Sequence, residues 1–71
     1  MKTVYVKNLP IKLGQFLKYA DVVQDGLEAK FLILEGKIMV NDTVELRRGK
    51  QLHSGDLVAY QQEVLLVKGT R

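Results

Sequence analysis

The sequence predicts an α+β domain in which two short helices pack on a small, mainly antiparallel β-sheet. Two observations carry this prediction. Apolar residues recur at helical spacing in two segments of the first half, and short β-branched or period-two runs make up most of the rest. Helices gathered on one side of an antiparallel sheet are a stable two-layer arrangement. The 71 residues contain no long polar stretch that could act as a linker, so we expect a single domain over residues 1–71.

The chain begins with a predicted strand and a first helix. A β-branched and aromatic run at residues 3–6 favours a strand, which Asn8-Leu9-Pro10 ends. From Lys12 onward, Leu13 and the apolar residues that follow it lie at positions i, i+3, i+4 and i+7. This spacing places them on one stripe of a helix of about three turns.

The second helix is marked at both ends. Asp25 and Glu28 stand in the relation of an N-cap and the third helical residue, so the helix should begin close to Leu27. It should end at Gly36, because glycine adopts the left-handed conformation that closes helices.

Apolar residues occupy two sides of this second helix. One side consists of Ala29, Leu32 and Ile33, and the other of Leu27, Phe31 and Leu34. We expect the amino-terminal strand and the last hairpin to bury the second side. The alternative is an exposed patch around Phe31 that binds a protein partner or stacks on a base.

The second half is predicted to consist of short strands. In order, these are a hairpin over residues 38–46 with its turn at 41–42, a basic loop at 47–50, a turn at 54–56, and a final pair of strands at 57–60 and 64–67.

The composition indicates which kinds of partner, cross-link and location the chain could have. Eleven Lys or Arg against eight Asp or Glu give a net charge of +3 and a pI near 9.3, which favours an anionic partner only weakly. The absence of cysteine excludes disulfides and thiolate-bound zinc, and it favours a cytoplasmic location. The apolar runs are too short to span a bilayer, so we expect no membrane association.

Catalytic and cofactor chemistry is not predicted. His53 lies beside Ser54, but the chain has no second histidine, no cysteine and no glycine-framed nucleophile, so a catalytic triad would be incomplete. A single histidine with scattered carboxylates lacks the spacing of metal ligands. We therefore expect no enzyme activity, no metal and no cofactor, and we interpret His53 as a turn residue.

Residues 12–60 resemble a known family over most of their length. The matching pieces are Lys12-Leu13-x-x-Phe16-Leu17, Glu28-Ala29-Lys30-x-Leu32-Ile33-x-x-Gly36, Ile38-x-Val40-Asn41 and Gly55-Asp56-Leu57-Val58. In this order and spacing they resemble the α-L RNA-binding domain of ribosomal protein four. The short length also resembles free-standing bacterial proteins of the YaaA and YbcJ type.

The resemblance implies binding to structured RNA, notably ribosomal RNA or a ribosomal particle, through a basic face of the two helices and the following loop. Carried over by position, the implied contacts are Lys12, Lys30, Asn41, Arg47, Arg48 and Lys50. Lys18 and Lys37 are weaker candidates. Where the family often has Ser or Thr followed by Arg, this chain has Asp25 and Gly26, so one basic contact is missing.

Partner expectations follow from the same resemblance. We expect a monomer that binds RNA, with a ribosomal protein as a further candidate partner. The main alternative is a protein-interaction module that keeps the fold and uses the apolar patch around Phe31, because fold does not fix function.

Overall fold

The computed structural model describes residues 1–70 as nine short elements. In chain order these are β1 (Lys2–Val6), β2 (Ile11–Lys12), α1 (Leu13–Tyr19), α2 (Gly26–Leu34), β3 (Ile38–Val40), β4 (Thr43–Val44), β5 (Gln51–Leu52), β6 (Leu57–Tyr60) and β7 (Glu63–Gly69). The predicted α+β class is confirmed.

Five of the strands form one sheet in the order β1-β7-β6-β3-β4. All neighbours in it are antiparallel except β1 and β7, which are parallel, with Val4 opposite Val67. The sheet is therefore mainly antiparallel, as predicted. The two-residue strands β2 and β5 form a separate antiparallel pair, which the sequence pattern did not indicate.

The core lies between the two helices and one face of the five-stranded sheet. Phe16, Leu13 and Leu17 of α1 are fully buried, as is Ile33 of α2. From the sheet and its neighbours, the buried residues are Val6, Ile38, Val40, Leu52, Val58, Leu65 and Val67. The buried residues of α1 have the spacing of the helical stripe that the sequence predicts for this helix.

The first helix is shorter than predicted. It ends at Tyr19 after seven residues, which is two turns and not three. Asp21 takes a left-handed backbone conformation with φ of 64°, and the N–H groups of Val22 and Val23 both donate to the carbonyl of Leu17. This arrangement turns the chain back and buries Val23 in the core.

The second helix follows its predicted signals. The side chain of Asp25 accepts a hydrogen bond from the N–H of Glu28 at 2.8 Å, and the carboxylate of Glu28 accepts one from the N–H of Gln24 at 2.8 Å. The first bond satisfies an N–H group that a helix start leaves without a partner, and the second ties the residue before the N-cap to the first turn of the helix. Beyond the helix, Gly36 has φ of +75°, the left-handed conformation expected there.

The expectation that the second apolar side of α2 is buried is wrong. Leu27, Phe31 and Leu34 are 63%, 57% and 58% exposed. The strand that was expected to cover them, β1, pairs with β7 at the edge of the sheet farthest from β4. Neither β1 nor the last hairpin, β6 with β7, covers this side of α2.

Candidate functional site

The basic loop at residues 47–50 is fixed against the start of α1 by backbone hydrogen bonds. The N–H of Leu13 donates to the carbonyl of Lys50 at 2.8 Å, and the N–H of Gly14 donates to the carbonyl of Arg48 at 3.0 Å. The first N–H groups of a helix have no partner within it, and Lys12 at the N-cap provides no side-chain acceptor. The loop carbonyls supply the missing acceptors and so place the basic side chains beside α1.

A shallow cleft forms where this loop, α1 and the start of α2 meet. It is lined by Lys12, Gly14, Gln15, Lys18, Gly26, Arg48 and Gly49, and we refer to these residues as the basic cleft. Three cations converge here, two of them from α1 and its N-cap and the third from the loop, and none of the lining residues is acidic. A side chain added at Gly26 or Gly49 would meet no atom within 4 Å, so the rim of the cleft is open to a large ligand.

The three cations of the cleft are not neutralised by neighbours. Lys12, Lys18 and Arg48 are exposed. Within residues 1–70, the ion pairs are those of Lys37 with Glu35 and of Arg47 with Glu45. The positive charge of the cleft is therefore available to an anionic ligand.

Arg47 and Lys50 lie on the other side of the loop. They line a second groove together with Gly49, Gln51 and His53. The loop thus directs its basic residues to two sides, and only Arg48 reaches the basic cleft.

Arg47 is held by an acidic neighbour. Its Nε donates to Oε2 of Glu45 at 2.9 Å, and the backbone N–H of Arg47 donates to the same oxygen at 3.2 Å. The side-chain hydrogen bond from Arg47 lowers the pKa of the Glu45 carboxyl, and the same bond raises the pKa of Arg47. This pairing reduces the net charge that Arg47 offers to a ligand.

Lys30 lies outside the cleft but on the same side of α2. It is exposed and stands one turn after Gly26, so it extends the basic surface along the helix. A ligand that fills the cleft and continues along α2 would reach it.

Asn41 connects two turns of the chain through its side chain, and it is not among the residues that line the cleft. Its backbone is left-handed, with φ of 52°, in the turn between β3 and β4. Its side-chain oxygen accepts from the N–H of Leu57 at 2.9 Å, and its Nδ2 donates to Oδ1 of Asp56 at 3.1 Å. Both polar ends of the amide are thus used within the chain, at the turn that the sequence predicts for residues 41–42.

The structure brings together part of the predicted set and adds to it. Lys12 and Arg48 converge in the cleft, Lys30 lies beside it, and Arg47 and Lys50 occupy the neighbouring groove. Lys18, only a weak candidate from sequence, lines the cleft. Its position four residues after Gly14 places the two on one face of α1, and this spacing is the signal that could have identified it.

His53 is confirmed as a turn residue. Its carbonyl accepts from the N–H of Asp56 at 3.1 Å, and its own N–H donates to Oδ2 of Asp56 at 2.8 Å. Across residues 1–70, no group of three or more histidine, cysteine or acidic residues is arranged to hold a metal ion. None of the helices in the same range is long and apolar enough to cross a membrane.

Comparisons with known proteins agree with this architecture. The model of the S4 domain family matches residues 4–68. A curated relative from Bacillus subtilis (strain 168), described as a probable ribosome maturation protein RlbA, is 52% identical over 48 residues, which is 68% of each chain.

A solved structure shows the same fold. It is the solution structure of YbcJ from E. coli, whose description reports an αL motif involved in RNA-binding. The match has a TM-score of 0.72 and 28% identity, and it covers 96% of this chain and 87% of that one. With a family match over nearly the whole chain and a relative above half identity, the chain belongs to the S4 domain family.

Proposed function

We propose that this chain is a non-catalytic RNA-binding protein that docks on structured RNA through the basic cleft and the adjoining side of α2. The observation that carries the proposal is the convergence of Lys12, Lys18 and Arg48 on an open cleft without acidic lining residues. The RNA-binding motif reported for the YbcJ structure supports the ligand class. The ribosome maturation role in the description of the Bacillus subtilis relative supports ribosomal RNA or a ribosomal particle in the cytoplasm as the target.

The chemistry of the cleft suits phosphate oxygens. Lysine ammonium groups act as point charges on phosphates, and the arginine guanidinium can donate to two phosphate oxygens at once or stack on a base. The loop that carries Arg48 is hydrogen-bonded to the start of α1, which carries Lys12 and Lys18, so the backbone positions of the three cations are fixed relative to one another before RNA binds. A fixed spacing of charges recognises the shape of folded RNA, whose deep and narrow major groove hides its base edges.

Arg47 and Lys50 are secondary contacts in this proposal. They lie on the far side of the loop, so a folded RNA that contacts both grooves would have to wrap around residues 47–50. Asn41 contributes indirectly, because it fixes a turn of the sheet and both ends of its side-chain amide already have partners.

The test is RNA binding across a salt series. The purified protein is titrated with a folded ribosomal RNA fragment and with an unstructured RNA of equal length. The cleft variant carries Lys12→Ala, Lys18→Ala and Arg48→Ala, and it should lose about two to three units of the slope of log affinity against log salt.

A matched control separates the cleft from overall charge. Lys2, Lys7 and Lys68 are equally exposed and lie on or next to the edge pair β1 and β7, so their triple alanine variant removes the same charge elsewhere. The control should retain most of the affinity and the slope. Equal losses in both variants, or no preference of the native protein for folded RNA, would refute the assignment of the cleft.

A further inference from the structure

The outer face of α2 carries an apolar stripe that nothing in residues 1–70 covers. Leu27, Phe31 and Leu34 are each more than half exposed. At about 100° per residue they lie within roughly 60° of one another, and they point away from the buried Ala29 and Ile33. The helix therefore has one apolar face in the core and a second one in solvent.

The spacing of the stripe is that of a coiled-coil seam. Steps of four and then three residues give Leu27, Phe31 and Leu34 the heptad positions d, a and d. In the same register Lys30 takes position g, and Glu28 and Glu35 take position e. The stripe therefore has a basic flank on one side and an acidic flank on the other.

This charge pattern complements a second copy of the same helix in one orientation. In a parallel pair, the residue at g contacts the residue five positions later, at e, on the partner helix. Lys30 of one copy would then meet Glu35 of the other, twice across the two-fold axis. An antiparallel pair would instead place lysine against lysine and glutamate against glutamate. Glu35 pairs with Lys37 within the chain, but at 4.0 Å and between exposed groups, so it can exchange this pairing for the contact with Lys30 of the other copy.

We propose that the outer face of α2 is a self-association surface that forms a weak, parallel, two-fold dimer. Val44 lies near the carboxyl end of α2 and is 49% exposed. Its Cγ1 is 3.7 Å from the position that a Cβ on Gly36 would take. Four such side chains offer on the order of 400 Å² of apolar area, about half of the ~800 Å² per partner that stable interfaces bury. An interface of this size is typical of weak association, so the chain should be a monomer at low micromolar concentration and should dimerise as the concentration approaches about 1 mM.

Sedimentation equilibrium of the protein without RNA, from about 5 µM to 1 mM, tests the proposal. The wild type should shift from monomer to dimer across this range. Phe31→Ser should weaken association at least tenfold. Tyr5→Ser is the matched control, because Tyr5 is 58% exposed but lies on β1 at the far edge of the sheet, and it should leave association unchanged.

Charge exchange tests the orientation. Lys30→Glu and Glu35→Lys should each weaken association severalfold by opposing like charges, and the double variant should restore it to within about twofold of the wild type. A wild type that stays monomeric at 1 mM would overturn the proposal. Single charge variants that associate like the wild type would also overturn it. Neither result depends on RNA binding, so the outcome is independent of the proposed function.

Discussion

Replacing Asn41 with alanine is expected to reduce the free energy of unfolding by about 2–3 kcal/mol. The side chain makes two hydrogen bonds, to the N–H of Leu57 and to the carboxylate of Asp56, which join the β3–β4 turn to the start of β6. Both bonds are exposed, so each contributes about 0.5–1 kcal/mol, the lower part of the usual range. The left-handed backbone at φ of 52° adds about 1 kcal/mol, because alanine lacks the tolerance that asparagine has for this conformation.

A glycine variant separates the two contributions. Asn41→Gly loses both side-chain hydrogen bonds but adopts the left-handed conformation freely, so it should cost about 1 kcal/mol less than Asn41→Ala. For a domain of this size, the alanine variant should melt roughly 10–20 °C below the wild type.

The assays are urea and thermal unfolding followed by circular dichroism, with RNA affinity measured on the folded glycine variant. Equal destabilisation by alanine and glycine would refute the backbone argument, and a loss below about 0.5 kcal/mol in both would refute the hydrogen-bond argument. A clear loss of RNA affinity in folded Asn41→Gly would show that Asn41 contacts RNA directly.

Four further outcomes follow from the structure. Gly26→Arg should fold normally, because no atom lies within 4 Å of its added Cβ, and it should raise the salt slope of RNA affinity by about one unit. Glu45→Gln should release Arg47 and strengthen RNA binding roughly two- to fivefold in a filter-binding assay. Because Arg47 lowers the pKa of Glu45, the stabilisation from this pair is present above the ordinary pKa of a glutamate and is lost as the pH falls through the lowered pKa. Glu45→Gln should abolish this part of the pH dependence in urea unfolding. Phe16→Ala removes a fully buried ring and should cost about 3–5 kcal/mol in the same assay, whereas an effect under 1 kcal/mol would contradict the packing described for α1.

The sequence by itself determined the elements whose signals are local. Asp25 and Glu28 capped α2 as their spacing predicted, Gly36 ended it, and the apolar stripe of α1 formed the core. Local hydrogen bonding and helical periodicity act over a few residues, so a single sequence is enough to reveal them. The same holds for the family resemblance, which was built from short motifs in a fixed order.

Only the tertiary structure decided features that depend on distant segments. The parallel pairing of β1 with β7 brings residues 2–6 beside residues 65–69, and no local pattern specifies it. Leu27, Phe31 and Leu34 remain exposed, because neither β1 nor the last hairpin, which were expected to cover them, packs over that side of α2.

The candidate site also combines features that the sequence reveals with features that only the packing of distant segments decides. Charge and resemblance identified Lys12 and Arg48, but Lys18 joined them only because the carbonyls of the loop at 47–50 accept hydrogen bonds from the start of α1. Sequence could not show that Glu45 pairs with Arg47 or that Asn41 uses both ends of its amide within the fold. Residue types and local spacing set which groups are present, whereas the packing of distant segments sets which of them remain free to bind a ligand.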